Sequence, residues 1–161
     1  MAGSFSLFDR FFLSLSQARK ARAGKTFEKI IRELFRRLNY PFDEHQLING
    51  RPDFLIPSRE HFNRNPIDCI IFTVKRTIRE RWRQIVTEGT RGLGFFLGTI
   101  DTNKSSNELD EMLKHRIYLV VPTNVLSENE QYEAAENVID FESFFRDHLD
   151  PAMVRWHRQN R

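Results

Sequence analysis

The apolar positions change period along the chain, and those changes divide it into elements. Phe27, Ile30, Ile31, Leu34, Phe35 and Leu38 recur at i, i+3, i+4, i+7, i+8 and i+11. That spacing lays one apolar face along a helix. Asn39-Tyr40-Pro41 ends it, because the residue before a proline avoids helical backbone. Glu28 falls about 100° around from Phe27, on the border of the apolar face. Upstream, Phe5, Phe8, Phe12 and Leu15 make a shorter helical stripe, suited to packing on the domain or on a second subunit.

Downstream the period shortens. Residues 46–49 and 52–56 read as short strands, divided by Gly50-Arg51 and stopped by Pro57-Ser58. A polar stretch, 59–66, reads as a loop. Residues 67–74 are almost continuously apolar with β-branched members, the pattern of a central strand covered on both faces. A basic helix follows, with Ile78, Trp82, Ile85 and Val86 on its buried side and Arg81, Gln84 and Glu88 on another. Residues 95–100 predict a strand, 109–115 a helix and 116–121 a strand closed by Pro122. Phe141, Phe144, Phe145 and Leu149 fall on a last helical stripe. The order α-β-β-α-β-α-β-α predicts an α/β fold, a mixed central sheet flanked by helices.

Composition narrows the class. The 161 residues are most simply one domain, and 15 phenylalanines can fill its core. The net charge is only +3, but it is unevenly spread. Arg22 and Lys25 belong to a basic run over 19–37, and Lys75, Arg79, Arg81 and Arg83 to a second over 75–91, whereas 127–150 is acidic. One basic face would suit a polyanion; solvated helix faces are the plainer alternative. The single Cys69 lies in an apolar run with no partner for a disulfide or zinc site, so an inert buried thiol and a reduced, cytoplasmic setting are expected. No apolar run reaches the length of a membrane span, and the start lacks the basic leader and long apolar stretch of a signal peptide. No membrane partner is expected.

Three charged positions carry candidate chemistry. Asp53 opens the apolar run 54–56, Lys75 closes the run 67–74, and Glu88 lies thirteen residues further on. Two carboxylates can hold a divalent metal through hard oxygens, and a lysine at a neighbouring strand end can act on water or phosphate. With the basic helix beside them, they suggest a metal-dependent nuclease.

Pro52-Asp53 followed by a strand ending in Lys75 resembles the PD-(D/E)xK nuclease core. The common pattern has an acid two residues before the lysine, where this chain has Thr73. A subgroup of restriction endonucleases has that acid on the following helix, where Glu88 stands. The stretch from Gln17 to Glu28 resembles the opening helix of the EcoRII-type catalytic domain. Arg81-Trp82-Arg83-Gln84 with Thr87-Glu88 resembles its segment after the lysine, and Tyr118-Leu119-Val120-Val121-Pro122 its last core strand. Arg76 departs from the small polar residue expected after the lysine.

The resemblance implies a single nuclease domain over 1–161, with a helical arm at 1–16 and a catalytic core at 17–150. It lacks the separate N-terminal DNA-binding domain of some members, which implies a stand-alone nuclease. It implies Mg2+-dependent hydrolysis of double-stranded DNA by a type II restriction endonuclease. Asp53 and Glu88 would hold Mg2+, Lys75 would stabilise charge at phosphorus or orient water, and Glu28 would serve a second metal or a metal-bound water. Arg79-Glu80-Arg81 matches the cluster that reads a CC:GG half-site, so a short palindrome with outer CC/GG is implied. A homodimer follows from the two antiparallel strands to be cut. Two rivals stay open: a structure-specific or repair nuclease of the same fold, and a DNA-binding module with a decayed site.

Overall fold

The computed structural model describes residues 20–48, 50–78, 82 and 94–159. Of residues 20–25 only the backbone is described. The long apolar helix is α1, Lys20–Arg37. Its backbone turns left-handed at Asn39, with φ 58°, a conformation asparagine tolerates better than most residues.

Six strands form one sheet in sequence order: β1 (Asp43–Glu44), β2 (Phe54–Ile56), β3 (Ile70–Val74), β4 (Phe95–Gly98), β5 (Ile117–Val121) and β6 (Val138–Asp140). The β1–β2 and β2–β3 pairs are antiparallel, and β3 to β6 run parallel. The mixed sheet expected from the element order is therefore present.

Side chains alternate across the sheet with the period of two that a strand imposes. Phe54, Ile56, Ile70, Phe72, Val74, Phe96 and Val120 face one core, shared with Phe27, Ile31, Leu34 and Phe35 of α1. Leu55, Ile71, Phe95, Leu97, Leu119 and Val121 face the other, with Ile78 and Trp82. Leu109 and Met112 of α3 (Ser106–Lys114) close that second face. Helices on both sides explain why the central strands read as unbroken apolar runs.

Several boundaries differ from the sequence pattern, each for a local reason. The polar stretch at 59–66 contains a helix, α2 (Arg59–Arg64), because the Ser58 side chain caps it by accepting from the His61 N–H at 3.1 Å. The apolar run at 67–74 starts with a 3-10 turn, Pro66–Asp68, so the strand begins at Ile70. The first strand is Asp43–Glu44 rather than 46–49; Ile48 makes only an isolated bridge to Gly50. Beyond β5 come two short helices, α4 (Thr123–Ser127) and α5 (Glu130–Ala134), and then β6, too short to leave a periodic signal. The predicted last stripe is buried throughout, but the helix continues further: α6 (Phe141–Phe144), one π turn (Phe145–Leu149), then α7 (Asp150–Gln159). Pro151 has no N–H to continue an α ladder, and the π turn directly before it absorbs the break. The expected stripe at 5–15 lies outside the described residues. Among the described residues no helix is long and apolar enough to cross a membrane.

Candidate active site

The antiparallel pairing of β2 with β3 sets Phe54 opposite Phe72. Asp53, one residue before β2, therefore lies beside the end of β3. Its Oδ2 accepts a hydrogen bond from the Val74 backbone N–H at 2.7 Å. Val74 is the residue before Lys75, so the two sequence candidates are brought to one end of adjacent strands. The Lys75 N–H donates to the Gly98 carbonyl at 2.9 Å, which fixes its backbone between β3 and β4. The Lys75 side chain is exposed. Among the described residues no hydrogen bond or ion pair holds its ammonium group.

Gly98 has a packing reason of its own. A Cβ there would come within 2.9 Å of the Phe72 ring, so glycine lets β4 approach the strand that ends at Lys75.

Asp53 has one oxygen engaged and one open. Its Oδ1 lies 3.9 Å from His45 Nδ1, beyond hydrogen-bond range. The other ring nitrogen of His45 lies 3.2 Å from Glu28 Oε1. Arg32, one helical turn after Glu28, donates to the same Glu28 oxygen at 3.0 Å and also bonds to Glu44. The border glutamate of α1 thus stands in a chain, Glu44–Arg32–Glu28–His45, that ends beside Asp53. Each member is partly exposed, so the group is open to small ions.

Glu44, His45 and Arg32 escaped sequence reasoning. Their signal lies in the register: Glu44 pairs with Phe54, and the His45 N–H donates to the Asp53 carbonyl at 3.1 Å. A hairpin drawn from Asp43 to Leu55 would have set His45 opposite Asp53.

Behind the site, a buried polar group supports the chain after Lys75. Asp101 accepts from the Ile78 N–H at 2.8 Å, and the Thr99 hydroxyl donates to the Arg76 carbonyl at 3.2 Å. The Tyr132 hydroxyl donates to the Asp101 carbonyl at 2.7 Å, and burial pushes that phenol up to about 12. Ile78 and Trp82 are buried in the second core, as their helical spacing predicted. Thr73 is buried on β3.

The remaining candidates divide as follows. Glu88, Arg79, Glu80, Arg81 and Arg83, with Ile85 and Val86, lie outside the described residues. Arg22 and Lys25 fall within α1, with their side chains undescribed. Cys69 is buried and free. Burial, reinforced by the charge of Asp68, pushes its thiol up to about 12. A thiol held protonated in this way is a poor nucleophile.

The donor set around Asp53 is all oxygen and imidazole nitrogen, which fits a hard or borderline divalent cation. The open Oδ1 of Asp53 is the oxygen that could be offered to it.

Comparison with known proteins gives a consistent answer. The family model described as EcoRII C terminal matches residues 2–145. The type II restriction enzyme EcoRII of Escherichia coli is 33% identical over 129 residues, which are 76% of this chain and 32% of that protein. The type II restriction enzyme SsoII of Shigella sonnei is 26% identical over 150 residues, 86% of this chain and 48% of that protein. Metal-depleted Ecl18kI in complex with uncleaved DNA superposes with a TM-score of 0.69 and 28% identity, covering 88% of this chain and 48% of that one. A PspGI–substrate DNA complex gives 0.64 and 25%, covering 88% and 66%. The chain thus spans about a third to a half of the length of these curated relatives. With the family model matched across most of its residues and the fold shared with restriction endonucleases, the chain belongs to the EcoRII C-terminal family.

Proposed function

We propose that this chain is a Mg2+-dependent type II restriction endonuclease that hydrolyses phosphodiester bonds in double-stranded DNA. The observation that carries the reading is the bond from Asp53 to the Val74 N–H, which joins a carboxylate with an open oxygen to the strand end that bears Lys75. Relatives named as type II restriction enzymes, and the DNA complexes of Ecl18kI and PspGI, support it.

When bound, Mg2+ supplies Lewis acidity to the scissile phosphate and acidifies a water. Asp53 and Glu88 are the carboxylates that hold it, Glu88 taking the place of the acid missing at Thr73. Lys75 stabilises negative charge at phosphorus or orients the attacking water. Glu28 serves a second metal or a metal-bound water.

Arg79, Glu80 and Arg81 read the outer CC/GG pairs of a short palindrome. An arginine can donate twice to guanine O6 and N7, and a glutamate can accept from cytosine N4. Arg83, Arg22 and Lys25 contact phosphates. A homodimer sets one site on each strand.

Incubation of the protein with plasmid DNA and Mg2+, followed by sequencing of the ends, tests this reading. Cleavage at one short palindrome with outer CC/GG is expected. Lys75→Ala should lose about 100-fold or more of the rate while still binding DNA. Glu88→Ala should be nearly inactive, and Thr73→Glu added to it should restore part of the rate. Undiminished turnover by Lys75→Ala, or cleavage at junctions irrespective of sequence, would overturn it.

A further inference from the structure

Thr99 and Asp101 lie just past the end of β4 and are 0% and 6% exposed. At that burial neither side chain can touch DNA. β3 and β4 pair in parallel as far as Val74 opposite Gly98, and the Lys75 N–H still donates to the Gly98 carbonyl at 2.9 Å. Beyond that point side chains take over from the backbone. The Thr99 hydroxyl donates to the Arg76 carbonyl at 3.2 Å, and Asp101 Oδ2 accepts from the Ile78 N–H at 2.8 Å. Residues 98, 99 and 101 thus grip residues 75, 76 and 78 in order. The gripping groups are themselves held. Thr99 Oγ1 accepts from the Asp101 N–H at 3.0 Å, and Asp101 Oδ1 accepts from the Asn103 N–H at 3.0 Å. The Tyr132 hydroxyl donates to the Asp101 carbonyl at 2.7 Å, and the Asn129 amide to the Thr102 carbonyl at 3.0 Å. Burial of Ile78 in the second core already ties the chain to the body, but apolar burial has no direction. The bond to Asp101 does have one, and it fixes the peptide plane at Ile78. Ile78 directly precedes Arg79-Glu80-Arg81. The four residues from Lys75 to Arg79 span at most about 14 Å, so these anchors set how the chain leaves the lysine.

We infer that Asp101, assisted by Thr99, is a positioning residue for DNA sequence selectivity: it aims the chain that runs from Lys75 to Arg79-Glu80-Arg81, and so ties base reading to the strand end that carries the lysine. The inference rests on the proposed reading of base pairs by those three residues. A bidentate contact to a base edge needs its side chain held to within about 0.5 Å, whereas a long basic side chain can follow a phosphate through a wider range. Loss of the Asp101 bond therefore weakens discrimination between sites more than it weakens attachment to DNA.

The test is equilibrium binding of two labelled duplexes to the full chain, without divalent metal so that nothing is cut. One duplex carries the site that the wild-type protein selects from a randomised pool, and the other the same site with one outer base pair exchanged. Asp101→Ala should lower the ratio of the two affinities about 10-fold, within the range that one bidentate base contact provides. Binding to the exchanged duplex, and its salt dependence, should stay nearly unchanged. Asp101→Asn keeps an acceptor oxygen for the Ile78 N–H and should retain most of the ratio. Thr99→Val removes the hydroxyl and should lower the ratio as well, whereas Thr99→Ser should not; this pair tests the inference even if Asp101→Ala does not fold. A merely structural role would reduce the folded fraction, which scales both affinities alike. An unchanged ratio in folded Asp101→Ala or Thr99→Val therefore overturns the inference. A ratio as low in Asp101→Asn as in Asp101→Ala overturns it too, by assigning the effect to charge rather than to the bond. Asp101-dependent selectivity in a protein that cuts no DNA would uphold the inference and overturn the proposed nuclease. Mg2+-dependent cutting at one site, with a ratio indifferent to Asp101, would do the reverse. A wild-type protein with no preference for any duplex overturns both the base reading and this inference.

Discussion

Asp53 and Asp68 lie just ahead of the strands β2 and β3 in the chain, and their side chains are almost equally covered, 14% and 11% exposed. Their surroundings are opposite. Asp68 is surrounded by donors. Arg155 reaches its Oδ1 with two nitrogens, at 3.1 and 3.2 Å, and His61 and Gln159 approach its Oδ2 at 3.3 and 3.4 Å. The Trp156 indole donates to its backbone carbonyl at 3.0 Å. Asp53 has one backbone N–H and an imidazole at 3.9 Å. Burial alone therefore does not separate a carboxylate paired within the fold from one proposed to hold a metal. What separates them is whether the fold supplies the counter-charge. At Asp68 it does, through a helix 87 residues away in sequence. At Asp53 it leaves an oxygen free for something from outside.

The sharpest way to break this contrast is to neutralise each aspartate. Asp53→Asn keeps an acceptor for the Val74 N–H but removes the charge. Under the proposed function, Mg2+-dependent cleavage should fall by about 100-fold or more, roughly 3 kcal/mol of transition-state stabilisation. Its urea midpoint should stay close to wild type. A large loss of stability with activity per folded molecule retained would reverse the assignment.

Asp68→Ala should do the converse. Removing one partner of a buried network leaves Arg155, His61 and Gln159 without their acceptor, at a cost of about 2 kcal/mol measured by urea denaturation. Activity per folded molecule should hold.

Arg155→Gln sharpens the same comparison with a smaller effect. The Arg155 side chain is 43% exposed, so water screens the pair and the loss should be about 0.5–1 kcal/mol by the same denaturation. A loss as large as that of Asp68→Ala would mean that Arg155 alone supplies the counter-charge.

The smallest expected effect concerns acid, and it concerns neither aspartate. His148 packs on the rings of Phe96, Tyr118 and Phe144. Burial holds its pKa below the ordinary histidine value, and the charge of Asp147 opposes this only in part. The unfolded chain then takes up the proton first. Stability is full above the ordinary value of 6.5 and is lost as pH falls through it towards the lower folded value. His148→Phe should flatten the fall in melting temperature between neutral pH and the lower folded value. An unchanged slope would place the acid sensitivity elsewhere than His148.

The sequence by itself determined the helix α1, the central strands and the positions of Asp53 and Lys75 at strand ends. Each of these is a local property: apolar period sets which face is buried, and proline or glycine sets where an element stops. The burial of Phe141, Phe144, Phe145 and Leu149, and of Ile78 and Trp82, was legible for the same reason. Tertiary structure alone decided which charges would meet. Glu28 reaches His45 only because α1 packs on the sheet whose edge strand carries Glu44. Asp101 reaches Ile78 only because the parallel strands β3 and β4 end side by side. Asp53 and Asp68 look alike in sequence, each close behind a proline at the edge of an apolar run. Their difference comes from partners tens of residues away, and a contact between side chains so far apart leaves no period in the chain to read.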